Sequence, residues 1–427
     1  MLKKSYVILM LAGMLTAGAS SVQAVEKGLL LEDSITLAMQ NNDQIKAAKS
    51  GEEAAKWELK KAKGAYALTA NYAYTGAKIG GEYWQTFHIN DDPSSYFINS
   101  VSASLPLYTG GRIEHAVEQA KLGADISELE VKGTKQQIRY QVTQAYYMVL
   151  DCQNMQQVKA DAVSQLKEHL RNVRAQFAVG SVAKADVLRS EVALANAEQA
   201  LVTAENNTKV AMASFNKLVG RPLQSAVVIA ESMSYIPAAY QLEQCIDYAL
   251  QHRPARLTAA KAVAQAEQGI AIAQAGKKPA VSFDASYTTY DTRVGEFDTR
   301  QWIVGVTASI NLLDGDVTAA QVKAAKARSE QAKHQAKDMT STVEFEVQQA
   351  FLNMKKAESN IGTNQVAVEK ATEDFKLASA RYGVNLGTNL DVVDAQVSLT
   401  TARTAYIESL YDYNVSKAAL ENAMGVE

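Results

Sequence analysis

The chain has 427 residues, with 43 basic and 46 acidic side chains and a formal net charge of −3 at pH 7. This slightly acidic balance argues against a nucleic-acid partner, which would select a basic face. Two cysteines in a chain of this length argue against a disulfide framework. No metal-ligand spacing links the five histidines, which are His88, His115, His169, His252 and His334. We also find no nucleophile motif or phosphate-binding loop, so we predict no metal site, no cofactor and no enzymatic activity.

The N-terminus has the pattern of a secretory signal peptide. Lys3 and Lys4 precede an apolar run that ends at Leu15, and small residues follow as far as Ala24. The apolar run is shorter than the roughly 20 residues that a membrane-spanning helix needs. We therefore predict cleavage after Ala24 and assign residues 1–24 to the signal peptide.

Beyond this segment, the sequence repeats itself once. The ten residues VSASLPLYTG at 101–110 reappear as VTASINLLDG at 306–315, an offset of 205 positions. A repeat of this length indicates two similar structural units that lie side by side around an axis. We therefore divide the mature chain into a first repeat at 25–222, a connecting segment at 223–240 and a second repeat at 241–427.

Each repeat is predicted to run helix, strand pair, long helix, tip, long helix. Alternating apolar and small polar residues predict four strands, at about 70–79 and 96–107 in the first repeat and at about 280–290 and 301–313 in the second. The long helices carry apolar residues at steps of four and three, a heptad-like seam that packs against a neighbouring helix. At about 1.5 Å per residue, the helix before the first tip could span roughly 100 Å. The tips themselves are predicted at about 179–183 and 383–388.

The strand pattern leaves two architectures open. Strands of about ten residues with one apolar and one small polar face suit a membrane β-barrel with a wet lumen. Four strands cannot close such a barrel alone, because an open edge in lipid leaves backbone groups unpaired, so several chains would pool their strands. The other architecture is a soluble pair of β-hairpins that caps a coiled coil. Alternation alone does not decide between them.

Three motifs carry a resemblance to a known family. The first repeat begins with LEDSITLA at 31–38 and contains the strand-to-helix signature LPLYTGG at 105–111. In the second repeat, RY at 381–382 is followed by DVVDA at 391–395. In this order, and in a duplicated chain, the motifs resemble the outer membrane efflux protein family, the TolC-like channels, over essentially the whole mature chain.

The resemblance implies a mainly helical fold with a membrane β-barrel contribution. Three copies would form a homotrimer with a twelve-stranded barrel in outer membrane lipid and a twelve-helix tunnel that extends through the periplasm. Such a channel would belong to a tripartite export system and pass drugs, small molecules or proteins outward from an inner-membrane pump and a periplasmic adaptor protein. The alternative function is a structural coiled-coil envelope protein, a spacer or stalk, without transport activity.

The resemblance also implies roles for acidic residues at the second tip. Asp391 and Asp394 match the aspartates that line a periplasmic constriction in the family, and their spacing of three places them on one helix face. Rings of such carboxylates favour cations and repel anions. From the residues alone, the better explanation is that both are ordinary first-turn acids that the helix N-terminus stabilises.

Asp186, Tyr382 and Arg189 form the predicted tip latch. Arg189 stands where the second repeat has Asp394, so the two tips differ in charge. We hypothesise that Asp186 and Tyr382 help to hold neighbouring hairpins shut through a hydrogen bond. Gly387 departs from the family, which often carries a basic residue at this position, so one part of the usual latch has no counterpart here.

The turns at the two tips are the predicted docking sites for the adaptor protein. Gly180 suits the left-handed backbone conformation of such a turn, and its counterpart Asn385 is the next most tolerant residue. The same residues also suit simple helix-hairpin turns, and the docking role rests on the resemblance. The predicted docking residues are Val179, Gly180, Ser181, Asn385, Leu386 and Gly387.

Overall fold

The computed structural model describes residues 28–79, 94–295, 297 and 299–426. The predicted signal peptide, most of the first hairpin loop and His88 lie outside the described residues. None of the described helices is both long and apolar enough to cross a membrane. Over the described residues the chain is mainly helical, with one four-stranded antiparallel sheet.

The two repeats have the same order of elements, and each helix of the first has a counterpart of equal length in the second. These paired lengths are 11, 22, 67 and 36 residues. The first repeat contains α1 Leu31–Asn41, α2 Asp43–Gly64, β1 Thr69–Ile79, β2 Ser94–Tyr108, α3 Arg112–Ala178 and α4 Lys184–Val219. The second contains α5 Leu242–His252, α6 Pro254–Ala275, β3 Ala280–Asp291, β4 Thr299–Ser309, α7 Val317–Gly383 and α8 Asn389–Met424.

A single residue separates the two short helices at the start of each repeat. Asn42 separates α1 from α2, and its side-chain oxygen accepts a hydrogen bond from the Gln44 backbone N–H at 2.9 Å. Its side-chain amide also donates to the Leu218 carbonyl at 3.0 Å, which ties this break to the end of α4. In the second repeat Pro254 occupies the first turn of α6, where its missing N–H costs no helical hydrogen bond.

The sheet has the strand order β1-β2-β3-β4, so β1 and β4 are its edges. Register places Tyr72 opposite Val101, Val101 opposite Tyr287, and Tyr287 opposite Trp302, and these four side chains lie on one face. That face is apolar yet exposed, with Trp302 at 73% of its maximal accessibility. Serine and threonine dominate the opposite face. The sheet therefore has one mainly apolar face and one mainly polar face. The helices cover neither of them.

Strand β4 ends at Ser309, four residues before the end of the predicted range. The chain turns here toward α7, and the Asp314 carboxylate accepts a hydrogen bond from the Thr318 backbone N–H at 3.0 Å. An acidic side chain that receives the free N–H groups of a first helical turn stabilises the helix start. Residues 310–313, whose alternation suggested a longer strand, therefore form an irregular connection between β4 and α7.

The heptad-like seam of the long helices forms the core of the molecule. Ile138, Val142 and Val149 of α3 are fully buried, and so is Val347 of α7. They join one hydrophobic cluster with the aromatic residues Tyr146, Phe215 and Tyr413. Burial of such apolar stripes holds the helices together, because propensity alone stabilises long helices only weakly.

The connecting segment lies against the middle of the long helices. Tyr146 of α3 donates a hydrogen bond to the Glu231 carboxylate at 3.1 Å, and Tyr413 of α8 donates to the Ile236 carbonyl at 2.8 Å. Tyr235 of the segment in turn donates to the Glu358 carboxylate of α7 at 2.7 Å. Hydroxyl groups from both repeats thus anchor a segment that has little regular structure of its own.

Candidate functional site at the helical tips

The two tips are built by the same backbone motif. Gly180 follows α3 with a φ of 74°, and the Ser181 N–H donates to the Gln176 carbonyl at 2.9 Å. Asn385 follows α7 with a φ of 60°, and the Leu386 N–H donates to the Arg381 carbonyl at 2.8 Å. Both are Schellman turns, in which a left-handed residue lets the chain reverse and satisfy the last helical carbonyls.

Five of the six predicted docking residues are exposed at these turns, and Gly387 is half-buried. The apolar side chains among them are Val179, at 76% of its maximal accessibility, and Leu386, at 70%. Each tip therefore ends in an exposed apolar residue.

Asp391 forms a capping box at the start of α8. Its carboxylate accepts a hydrogen bond from the Thr388 N–H at 2.8 Å, and its own N–H donates to the Thr388 hydroxyl at 3.2 Å. These bonds, together with the nearby Arg381 guanidinium, hold the pKa of Asp391 below its usual range. The side chain is nevertheless exposed. Asp391 is thus a helix cap that also presents a permanent negative charge at the tip.

Asp394 lies one helical turn later and is exposed as well. It shares a groove of about 320 Å³ with Asp391, Asp374 and Arg381. The groove therefore combines three carboxylates with one guanidinium, which also donates to the Leu386 carbonyl at 3.3 Å. Asp374 was not singled out from the sequence, and Arg381 was quoted only as part of a family motif, although their spacing of seven on α7 places them on one helix face. No trio of His, Cys, Asp or Glu within the described part of the chain could hold a metal ion.

The three predicted latch residues occupy two different places. Tyr382 is only 5% exposed and packs against Val173 and Val392. Burial raises the pKa of Tyr382, and the negative charge of Asp186 raises it further. The Tyr382 hydroxyl has no hydrogen-bond partner among the described residues, so it does not bond to Asp186 within one chain. Arg189 lines a separate groove between α4 and α8.

A buried amide connects the helices around Tyr382. The Asn389 side-chain N–H donates to the Asp186 carbonyl at 3.1 Å, and its oxygen accepts from the Ser190 hydroxyl at 3.0 Å and from His169 Nε2 at 2.6 Å. The His169 ring meets the Tyr382 ring edge to face, with centroids 5.0 Å apart. Burial lowers the pKa of His169. All four long helices therefore meet in one small polar cluster just behind the tips.

Comparison with known proteins gives consistent results over most of the chain. A family model described as outer membrane efflux protein matches residues 34–221 and 245–426. The outer membrane efflux protein BepC of Brucella suis is 22% identical over 420 residues, which cover 97% of this chain and 88% of that protein. The alkaline protease secretion protein AprF of Pseudomonas aeruginosa is 23% identical over 420 residues, which cover 93% of this chain and 84% of that protein.

The fold is also shared with solved structures. The crystal structure of the outer membrane protein VceC of Vibrio cholerae matches with a TM-score of 0.80 at 19% identity, over 92% of this chain and 96% of that one. The two segments matched by the family model fall on the two repeats and leave out the connecting segment. Because the match covers most of the chain, this protein belongs to the outer membrane efflux protein family.

Proposed function

We propose that three copies of this chain form one export duct, with the sheets in the outer membrane and the helical tips in the periplasm. The observation that carries this proposal is the sheet, whose edge strands β1 and β4 each have one unpaired side in the described chain. Its apolar face is exposed at the same time. Unpaired backbone groups are costly in lipid, so neighbouring copies would complete the ladder. Three copies supply twelve strands, and the polar faces line the lumen.

The exposed face of α4 supports the same assembly. Leu188, Val192, Val202 and Val210 are each more than half exposed. At about 100° per residue they fall within a stripe of about 80° on one side of the helix. Such a stripe in water favours burial against another helix. In the proposed duct, long helices of a neighbouring copy cover it and close the wall of the tunnel.

The second tips would form the narrow periplasmic entrance. Asp391 and Asp394 are exposed on one face, so three copies would bring six carboxylates around a common axis. Rings of carboxylates favour cations over anions. Arg381 in the same groove would offset part of this charge, and Asp374 would add to it. The Tyr382 hydroxyl is buried within one copy, so the latch to Asp186 would form only if hairpins of neighbouring copies repack as they meet.

The exposed turns would be the contact points for a periplasmic adaptor protein. Val179 and Leu386 present apolar surface at the ends of the hairpins, which suits a partner with apolar contacts of its own. The inner-membrane pump, joined through the adaptor, would select the cargo. Among the relatives, one is named for efflux and another for secretion of a protease. We therefore propose that the duct itself is permissive and that drugs, small molecules or proteins pass according to the pump.

The proposal is tested by ion conductance of the mature protein, residues 25–427, in a planar bilayer. We expect discrete cation-selective channels whose preference for cations falls in the Asp391→Asn, Asp394→Asn variant. The matched control is Glu243→Gln, Asp247→Asn on α5, which removes two exposed carboxylates away from the tips. The control should retain the selectivity of the unmodified channel.

Each outcome separates one part of the proposal from another. Channels that are indifferent to the loss of both tip carboxylates would keep the duct but exclude the proposed constriction. Well-folded protein that inserts as a monomer, or does not insert, would contradict the trimeric duct. A spacer or stalk would give no conductance in any variant.

A further inference from the structure

We infer that Asp284 on strand β3 is a second charge-selective residue, located at the sheet end of the duct far from the tips. The inference rests on the proposed trimeric duct. Serine and threonine predominate on the polar face of the sheet, beside a few larger side chains that include Tyr96, Ile98, Tyr290 and Ile303. Asp284 is the one charged side chain of that face among the described strand residues. The charged residues Lys78, Asp291 and Arg300 all belong to the opposite face.

Two serines hold the Asp284 carboxylate in place. Its Oδ1 accepts a hydrogen bond from the Ser104 hydroxyl on β2, and its Oδ2 accepts one from the Ser282 hydroxyl on β3, each at 2.7 Å. A carboxyl group whose two oxygens both accept hydrogen bonds is satisfied in its ionised form. No lysine or arginine in the described part of the chain forms an ion pair with it. The residue therefore presents an oriented and uncompensated negative charge.

The space in front of this carboxylate is open. Register pairs Asp284 with Gly305 on β4 and with Ser104 on β2, so both cross-strand neighbours are small. A Cβ atom added at Gly305 would meet nothing within 4 Å. Ions and cargo that travel along the polar face would pass directly beside the charge.

Three copies would place three such carboxylates at one height in the lumen. Helix α7 alone has 67 residues, so this ring and the tips are separated by a distance on the order of 100 Å. The Debye length is about 8 Å at physiological ionic strength and about 30 Å at about 0.01 M salt. The two rings therefore act independently. The ring of Asp284 carboxylates would favour cationic and neutral cargo over polyanions, most strongly at low salt.

A thiol placed beside the charge would report the local potential directly. We choose Gly305→Cys in a chain without its own two cysteines. Each of these is replaced by the residue at the corresponding position of the other repeat: Cys152→Ala follows Ala357, and Cys245→Ser follows Ser34. Cationic and anionic methanethiosulfonate reagents are added from the outer side of reconstituted vesicles. The ratio of their two rates cancels differences in thiol reactivity and depends on the local potential.

We expect Asp284→Asn to lower the ratio of cationic to anionic rates about threefold at about 0.15 M salt, and by more at about 0.01 M. Ser282→Ala, which removes one hydrogen bond and keeps the charge, should leave the ratio close to that of the parent. Asp284→Ser serves as a second neutral variant if Asp284→Asn does not assemble.

The outcomes distinguish this inference from the duct on which it rests. A reactive thiol with the same ratio in the presence and absence of Asp284 would overturn the inference and leave the duct intact. A thiol that neither reagent reaches, in protein that forms no channels, would overturn both. A lower ratio in Asp284→Asn and Asp284→Ser, but not in Ser282→Ala, would establish Asp284 as the source of the potential.

Discussion

The two tips share one backbone and differ in their side chains. Both turns place one residue in the left-handed region, Gly180 in the first and Asn385 in the second, and both close with the same pair of reversed hydrogen bonds. At the start of the following helix the similarity ends, because Thr388 caps α8 while Ala183, its counterpart, gives α4 no side-chain cap. Duplication has preserved the geometry of the hairpins and allowed their chemistry to diverge.

The divergence concentrates polar and anionic groups in the second repeat. The buried Asn389 stands where the first repeat has the exposed Lys184, and Asp394 stands where it has Arg189. The first repeat contributes His169, which donates a hydrogen bond to Asn389. The two hairpins are therefore not interchangeable. The second carries Asp391 and Asp394, and the first contributes the hydrogen bond from His169 to Asn389 at the start of the same helix.

The largest effect should follow from loss of the buried amide at the second tip. Asn389→Ala removes the acceptor of His169 Nε2, and a buried polar group left unpaired costs about 1–3 kcal/mol. The Ser190 hydroxyl keeps its other acceptor, the Asp186 carbonyl, at 2.9 Å. Together with the lost bonds of the amide itself, we expect local destabilisation of about 2 kcal/mol. Amide hydrogen exchange in the first turns of α4 and α8 should accelerate about 30-fold or more.

The control is the same change at the corresponding position of the first repeat. Lys184→Ala alters an exposed side chain, so its effect should stay within about 0.5 kcal/mol. Equal acceleration of exchange in both variants would show that the two tips are energetically equivalent, against the asymmetry described above.

A smaller effect is expected from backbone strain at the first turn. A Cβ at Gly180 would meet nothing within 4 Å, so Gly180→Ala tests only the cost of a left-handed conformation, about 1–2 kcal/mol. The thermal midpoint of the assembled protein and hydrogen exchange at the turn should both report the loss. Asn385→Gly is the converse change and should be neutral or slightly stabilising. A Gly180→Ala variant without any loss would mean that the turn relaxes out of the left-handed region.

Much of this architecture follows from local sequence signals. The offset of 205 positions relates the two repeats, and the alternation of apolar and polar residues identifies the four strands. The heptad-like seam predicts the buried stripes of α3 and α7. These signals are periodic within one element, so a single sequence reveals them. The mainly helical fold and the membership in the efflux family were predicted in this way and are confirmed.

The tip cluster could not be predicted, because its members are far apart in the sequence. His169 and Asn389 are separated by 220 positions and meet only after two hairpins have packed together. His169 shows no spacing that would mark it in the sequence, and Asn389 resembles any polar residue in a first helical turn. The groove shared by Arg381 and Asp394 likewise depends on how α7 and α8 face each other. Roles of the tip residues in gating and docking remain predictions for the experiments above.

The capping difference between the tips can be exchanged in both directions. Thr388→Ala removes a capping box and should cost about 1 kcal/mol. Ala183→Thr creates the sequence Thr-x-x-Asp with Asp186 and should stabilise the start of α4 by a similar or smaller amount. Thermal unfolding of both variants and of the double variant gives the comparison. A double variant whose change equals the sum of the two single changes would show that the caps act independently, since they lie in different helices.

The smallest effect concerns pH and the ring of His169. Burial lowers the pKa of His169, so the folded tip favours the neutral ring. A lowered pKa in the folded state means that this contribution to stability is complete above the unfolded value of about 6.5 and is lost as the pH falls through the folded value. Hydrogen exchange at the tip should therefore accelerate as the pH falls below about 6.5, after correction for intrinsic rates. His169→Gln retains an N–H donor but does not titrate, so it should remove this acceleration. The control, His115→Gln near the start of α3, should leave the acceleration unchanged. Acceleration that persists in His169→Gln would assign the pH dependence to the carboxylates of the tip instead.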